Sequence, residues 1–192
     1  MGIRAVGFLK PSEYGDDASK YLNKFREHLF QLGAFGFETW TCKIYSRKAQ
    51  TDSVLRLISF NDTPDQNILI TKNTTLVGDA NFQSVLKDIG LLFDKKTLIF
   101  KIDGSMAQLG DFKVRYGVSI VKEKQVGILF DIEYLPVTKL SVNSDLIFSS
   151  VCKTMDLQAK LYTPQNPESN EYNFSCLGQD YIRILLDNDL SQ

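Results

Sequence analysis

Two adjacent stretches near the middle of the chain alternate apolar and polar residues with a period of two, and their charges favour one way of pairing them. In 112–121, Phe112, Val114, Tyr116, Val118 and Ile120 share one face, and Lys113, Arg115 and Ser119 share the other. In 126–135, Ile128, Phe130, Ile132 and Tyr134 lie opposite Leu129, Asp131 and Glu133. Successive side chains of a strand point to opposite faces, so the pattern is that of two half-buried antiparallel strands. A three-residue loop at 122–124 sets Tyr116 against Phe130, Val114 against Ile132 and Phe112 against Tyr134. The same register sets Lys113 against Glu133 and Arg115 against Asp131. Opposite charges across a strand pair contribute roughly 0.2–1 kcal/mol, and like charges cost as much. Apolar and ionic faces therefore select one register.

The rest of the chain is read around this hairpin. Residues 2–9 form a strand, and Asp16 or Asp17 caps a helix whose stripe is Ala18, Tyr21, Leu22, Phe25, Leu29 and Leu32. Gly33 stops that helix. Short strands are expected at 37–47, 54–60, 67–71, 75–77 and 97–103. Asp79 caps a second helix carrying Phe82, Val85, Leu86, Ile89 and Phe93, its last turn weakened by Gly90 by about 1 kcal/mol relative to alanine. Asn143 or Ser144 caps a third, with Leu146, Ile147, Ser150, Val151 and Met155. A fourth runs from Leu177 through Tyr181, Ile184 and Leu185. Loops fall at 11–15, 61–65 and 164–170, the last leading into the C-terminal helix. Strands in the middle and helices mostly at the ends predict a single α+β domain over 1–192: an antiparallel, barrel-like β-sheet of about eight strands with flanking α-helices. Runs such as Leu55, Leu57 and Ile58, or Leu98, Ile99 and Phe100, are apolar on both strand faces. The face that helices leave bare must then fill a barrel interior or meet a partner.

Little in the chain is suited to catalysis. The single histidine, His28, sits near the end of the first amphipathic helix and reads as a half-exposed helical residue rather than a general base. Cys42, Cys152 and Cys176 are too dispersed for a zinc site and read as buried, reduced thiols of an intracellular protein. No P-loop or dinucleotide fingerprint is present, and no apolar run approaches the roughly 20 residues of a membrane span. Lys plus Arg number 22 against 23 for Asp plus Glu, a net charge of −1 that argues against tight duplex binding. The one constellation open to chemistry is the ionic face of the hairpin. If Asp131 and Glu133 lined a barrel interior beside Lys113 and Arg115, they could hold a divalent metal and a phosphate chain, as in triphosphate tunnel enzymes. Those enzymes carry an ExExK motif on their first strand, whereas Gly2-Ile3-Arg4-Ala5-Val6-Gly7 has no acid. The expectation is a solvent face of paired surface charges, with no catalytic, cofactor-binding or metal-binding residue.

Four segments in order carry a family resemblance. They are the opening strand from Met1-Gly2 to Lys10-Pro11, Glu38-Thr39-Trp40-Thr41-Cys42, and Asp111-Phe112-Lys113-Val114-Arg115-Tyr116-Gly117 with Gly127 and Glu133-Tyr134-Leu135-Pro136, then Cys176 before Tyr181-Ile182-Arg183-Ile184-Leu185. Together, over about half of the chain and with 54–97 unmatched, they resemble subunit 20 of the Mediator complex, the RNA polymerase II coactivator. The resemblance implies a barrel-like fold, no catalysis, no cofactor and a nuclear location in the Mediator head module. It further implies a direct heterodimer with subunit 18, tethered by the C-terminal region of subunit 8, and contacts with other head-module subunits. Which residues form those interfaces is not written in the sequence.

Overall fold

In the computed structural model, residues 2–15, 17–48, 54–72, 74–90, 97–139, 144–163 and 172–190 are described. The elements run β1 (Ile3–Leu9), α1 (Pro11–Tyr14), α2 (Ala18–Gln31), β2 (Phe35–Lys48), β3 (Val54–Phe60), β4 (Asn67–Ile70) and β5 (Thr75–Gly78). They continue with α3 (Phe82–Asp88), β6 (Leu98–Leu109), β7 (Phe112–Val121), β8 (Lys124–Tyr134), α4 (Ser144–Thr154), β9 (Lys160–Tyr162) and α5 (Phe174–Asp187). All these strands join one antiparallel sheet in the order β5-β4-β3-β2-β6-β7-β8-β1-β9. The α+β class and the antiparallel sheet are as expected, but among the described residues the strand order ends at β5 and β9 and the sheet does not close. It curls instead around α5, which touches β1 near one edge and both β4 and β5 at the other. Close approach there depends on Gly178, where a Cβ would come within 2.7 Å of Ile70 Cδ1 and 2.9 Å of Ile68 Cγ2.

The central hairpin pairs as its alternation requires: Phe112 with Tyr134, Lys113 with Glu133, Val114 with Ile132, Arg115 with Asp131 and Tyr116 with Phe130. The turn differs from the expected three-residue loop. Lys122 and Glu123 make a two-residue turn with φ of 48° and 66°, the conformation of a type I′ hairpin. A bulge then moves the pairing from Ile120–Gln125 to Ser119–Gly127, and the extra residue restores the register of the arms.

Helices cover both faces of the sheet. On the convex side α2 is capped by Asp17, whose carboxylate accepts from Lys20 N at 3.0 Å, and ends before Gly33 at φ 89°. Its Phe25 packs edge-on against Tyr116 and Phe130, with ring centroids 5.1 and 5.2 Å away. His28, half-buried in the last turn, lies with Nε2 3.3 Å from the Thr154 carbonyl and so ties α2 to α4. Farther along, α3 closes a separate cluster of Leu57, Leu69 and Leu86 with Tyr45 and Phe82. On the concave side α5 fills the interior. The doubly apolar run in β3 is thereby explained, since Leu57 joins the convex cluster and Ile58 the main core.

Several boundaries differ from expectation. Residues 11–15, read as a loop, contain the single turn α1 with Pro11 at its start. Strand β6 continues past 103 to Leu109, because Gly104, Ser105 and Met106 remain paired with both β2 and β7. Strand β9 was not anticipated, and α5 begins at Phe174 on the Asn173 cap rather than at Leu177. Asp16, Phe93, Asn143 and the loop at 164–170 lie outside the described residues. Cys42, Cys152 and Cys176 are buried thiols, and burial pushes that of Cys152 up to about 12.

Candidate functional site

Apart from half-buried Lys113, the charges on the ionic face of the hairpin do not meet solvent. Asp131 and Arg115 are 0% exposed, Arg4 2% and Glu133 4%, so the expected surface charges are interior ones. The correction has a topological cause. Sheet curvature turns this face inward, and α5 lies across it.

The members of the cluster arrive from β1, β7, β8, α5 and the loop after β3. Arg4 stands on β1, whose pairing with β8 sets it opposite Glu133, with Val6 opposite Asp131. Asp62 follows β3, in a loop held to β2 by Asn61. That side chain accepts from Thr41 N at 2.7 Å and donates to Thr39 O at 3.0 Å. Tyr181 projects from α5.

Arg115 donates through Nε to Asp62 Oδ2 at 2.8 Å, through Nη1 to Asp131 Oδ1 at 3.3 Å and through Nη2 to Glu133 Oε2 at 2.9 Å. Arg4 donates to Asp131 Oδ2 and pairs with Glu133 Oε2, both at 3.2 Å. The remaining acceptor positions are filled by Tyr181 Oη on Asp131 Oδ2 at 2.7 Å, Gly2 N on Glu133 Oε1 at 2.9 Å and Trp40 Nε1 on Asp62 Oδ1 at 3.2 Å. Every carboxylate oxygen of the three acids thus has a donor. Lys113, expected opposite Glu133, keeps that register, but Arg4 and Arg115 make the ion pairs with Glu133.

The arginines hold Glu133 and Asp62 in their charged forms. Burial alone would raise Glu133, but Arg4, Arg115 and the Gly2 amide outweigh it and hold the carboxyl below its usual 4.5. Asp62 is likewise held down, mainly by Arg115 against its own burial. For Arg115, burial is outweighed by Asp131, Asp62 and Glu133, which raise its affinity for the proton further. Asp180 on α5 behaves in the opposite way. Burial, aided by the Asp131 charge, pushes it up to about 7, although Arg183 and the Tyr172 hydroxyl 3.4 Å away act to lower it.

Such an arrangement is suited to holding strands together and poorly suited to chemistry. A divalent cation would have to displace guanidinium donors from the oxygens it needs, and a phosphate chain would meet three carboxylates against two arginines. Among the described residues, no group of His, Cys, Asp and Glu is placed to hold a metal. Arg115 was legible as a partner of Asp131, but Arg4, Asp62 and Tyr181 were not. Their only signals were a charge in an otherwise apolar strand and a Tyr on the helical stripe.

Outside this interior, a groove of about 550 Å³ lies between the end of α2, the β6–β7 turn and α4. Leu32, Phe112, Tyr134, Ile147 and Val151 line it, with the Phe112 and Tyr134 rings 4.9 Å apart. No helix among the described residues is long and apolar enough to cross a membrane.

Residues 1–186 match the family described as the TATA-binding related factor (TRF) of subunit 20 of the Mediator complex. The chain is 21% identical over 191 residues to the Mediator of RNA polymerase II transcription subunit 20b of Arabidopsis thaliana, covering 93% of this chain and 86% of that protein. Among solved structures it is similar to the PH1012 protein of Pyrococcus horikoshii OT3, at 15% identity and a TM-score of 0.46, over 83% of this chain and 94% of that one. A chain of the Schizosaccharomyces pombe Mediator head module is similar at 15% identity and a TM-score of 0.44, over 83% and 96%.

Proposed function

The chain belongs to the Mediator subunit 20 family, and we propose that it acts as a non-enzymatic, nuclear subunit of the Mediator head module. In this role it pairs directly with subunit 18, is tethered by the C-terminal region of subunit 8, and helps regulate transcription by RNA polymerase II. The observation that carries this reading is the family match, which spans residues 1–186. The site chemistry supports it, because the dense group of charges on the concave face is consumed within the fold. Large apolar side chains at the surface, including Phe30 at 71%, Leu146 at 67% and Phe35 at 58% exposure, are the kind of surface that a partner covers.

Co-expression with a subunit 18 homologue followed by gel filtration is expected to give a single 1:1 complex, and two separate peaks would overturn the pairing. The alternative of a metal-dependent phosphate-processing barrel keeps one point in its favour, the interior position of Asp131 and Glu133. Triphosphate hydrolysis with manganese or magnesium that disappears in Asp131→Ala, while the variant remains folded, would move the assignment to that class.

A further inference from the structure

We propose that the open edge of β5, together with the facing side of α5, is a docking groove for an extended acidic segment of a partner protein, which adds to the sheet as one more strand. The first ground is the edge itself. β5 ends the strand order, and its sequence Thr-Leu-Val-Gly carries neither a charge nor a proline to blunt it. The opposite edge, β9, places Lys160 over the ring of Tyr162 at 5.2 Å. On β5, by contrast, Leu76 is 49% and Val77 52% exposed.

The second ground is the direction of the backbone. Thr71 N donates to Thr74 O at 2.9 Å, so Thr71 and Thr74 form the hydrogen-bonded pair that closes the β4–β5 hairpin. Antiparallel pairs alternate between bonded and non-bonded, which makes Ile70–Thr75 and Ile68–Val77 non-bonded pairs. The N–H and C=O groups of Thr75 and Val77 therefore point away from β4. That is the row of groups on which an added strand builds its main-chain bonds.

The third ground is charge. Between the β4–β5 hairpin and α5 lies a groove of about 520 Å³, to which Lys72, Thr75, Ser175, Gln179, Ile182 and Arg183 contribute. Among the described residues its lining holds two cations, Lys72 and Arg183, and no carboxylate, with Arg183 also lying 5.2 Å from the Tyr162 ring. An extended segment with acidic side chains toward α5 and apolar ones over Leu76 complements both features.

The test pans a random peptide library on the full chain, then maps the best synthetic peptide by amide NMR and measures its affinity against salt. Acidic peptides are expected to be enriched, with shifts concentrated at Thr75, Val77 and the facing side of α5. Val77→Pro, which removes an outward donor, should weaken binding about tenfold, as losing a main-chain hydrogen bond does. Lys72→Glu changes only an exposed side chain and so keeps the test available if Val77→Pro does not fold. It should weaken binding and flatten its salt dependence. Failure to select any peptide, selection without acidic bias, shifts confined to another surface, or affinity indifferent to both variants would overturn the proposal. Self-association of the free chain that Val77→Pro abolishes would also overturn it, by assigning the edge to a second copy.

Discussion

The two faces of the β7–β8 hairpin are built from alternate residues of the same strands, yet each solves burial in its own way. On the convex face, Tyr116 and Phe130 meet Phe25 edge-on, and shape and apolar area provide the stabilisation. On the concave face, Arg115, Asp131 and Glu133 meet Arg4, Asp62 and Tyr181, and hydrogen-bonded charge takes the place of apolar area. An apolar face tolerates substitutions that conserve volume. A buried charge network tolerates few, because each member removed strands its partners. The second face is therefore the more demanding one, and it also dictates which strands sit where. Asp62, Arg4 and Tyr181 come from three other elements, and the network is complete only when all of them have arrived.

The largest effect is expected where that difference is sharpest. Arg115→Ala leaves Asp62, Asp131 and Glu133 facing Arg4 alone and should cost about 3–5 kcal/mol in urea unfolding. Phe25→Ala on the other face should cost about 3 kcal/mol. A much smaller loss for Arg115→Ala than for Phe25→Ala would show that the network contributes little beyond filling space.

The next effect concerns pH. Asp180 is raised in the folded state to about 7 from 3.8, so its contribution to stability is full below 3.8 and lost as pH rises through about 7. Asp180→Asn should therefore stabilise the protein by about 2 kcal/mol at pH 8 and change little at pH 4. Glu133 and Asp62 work in the opposite window. Their folded values lie below 4.5 and 3.8, so their stabilisation is present above those values and lost as pH falls through the lower folded ones. Thermal unfolding followed across pH for the wild type and Asp180→Asn separates the two. Parallel curves would remove Asp180 from the account.

The smallest effect tests whether burial, rather than charge pairing as such, matters. Lys101 and Asp103 form a 2.6 Å ion pair on β6 with side chains 43% and 38% exposed. Lys101→Ala should change stability by no more than about 0.5 kcal/mol, less still in high salt. A loss approaching that of Arg115→Ala would break the distinction between the surface pair and the interior one.

How far the fold was legible follows the range of the interactions involved. The register of β7 on β8 could be read because hairpin neighbours are close in sequence and their alternation is strict. The α2 helix could be read from its stripe, its Asp17 cap and its Gly33 stop, all local signals. The continuation of β6 through Gly104 to Leu109 was hidden, since what holds it is pairing on both sides rather than its own composition. β9 was hidden as well, being a three-residue strand that exists only by pairing with β1.

By itself, then, the sequence determined that Arg115 faces Asp131, that Lys113 stands across from Glu133, and that the chain builds an antiparallel sheet with helices around it. It also carried the ordered motifs of the Mediator subunit 20 family. Only the tertiary structure decided which side of the hairpin is inside. Period-two alternation separates two faces of a strand but says nothing about what will lie against either. That depended on Arg4, Asp62 and Tyr181, brought in from 127, 53 and 50 residues away along their bonded pairs. Desolvation is set by everything that surrounds a group, so a charged residue acquires its role as surface or core only when the sheet has curled and α5 has closed over it.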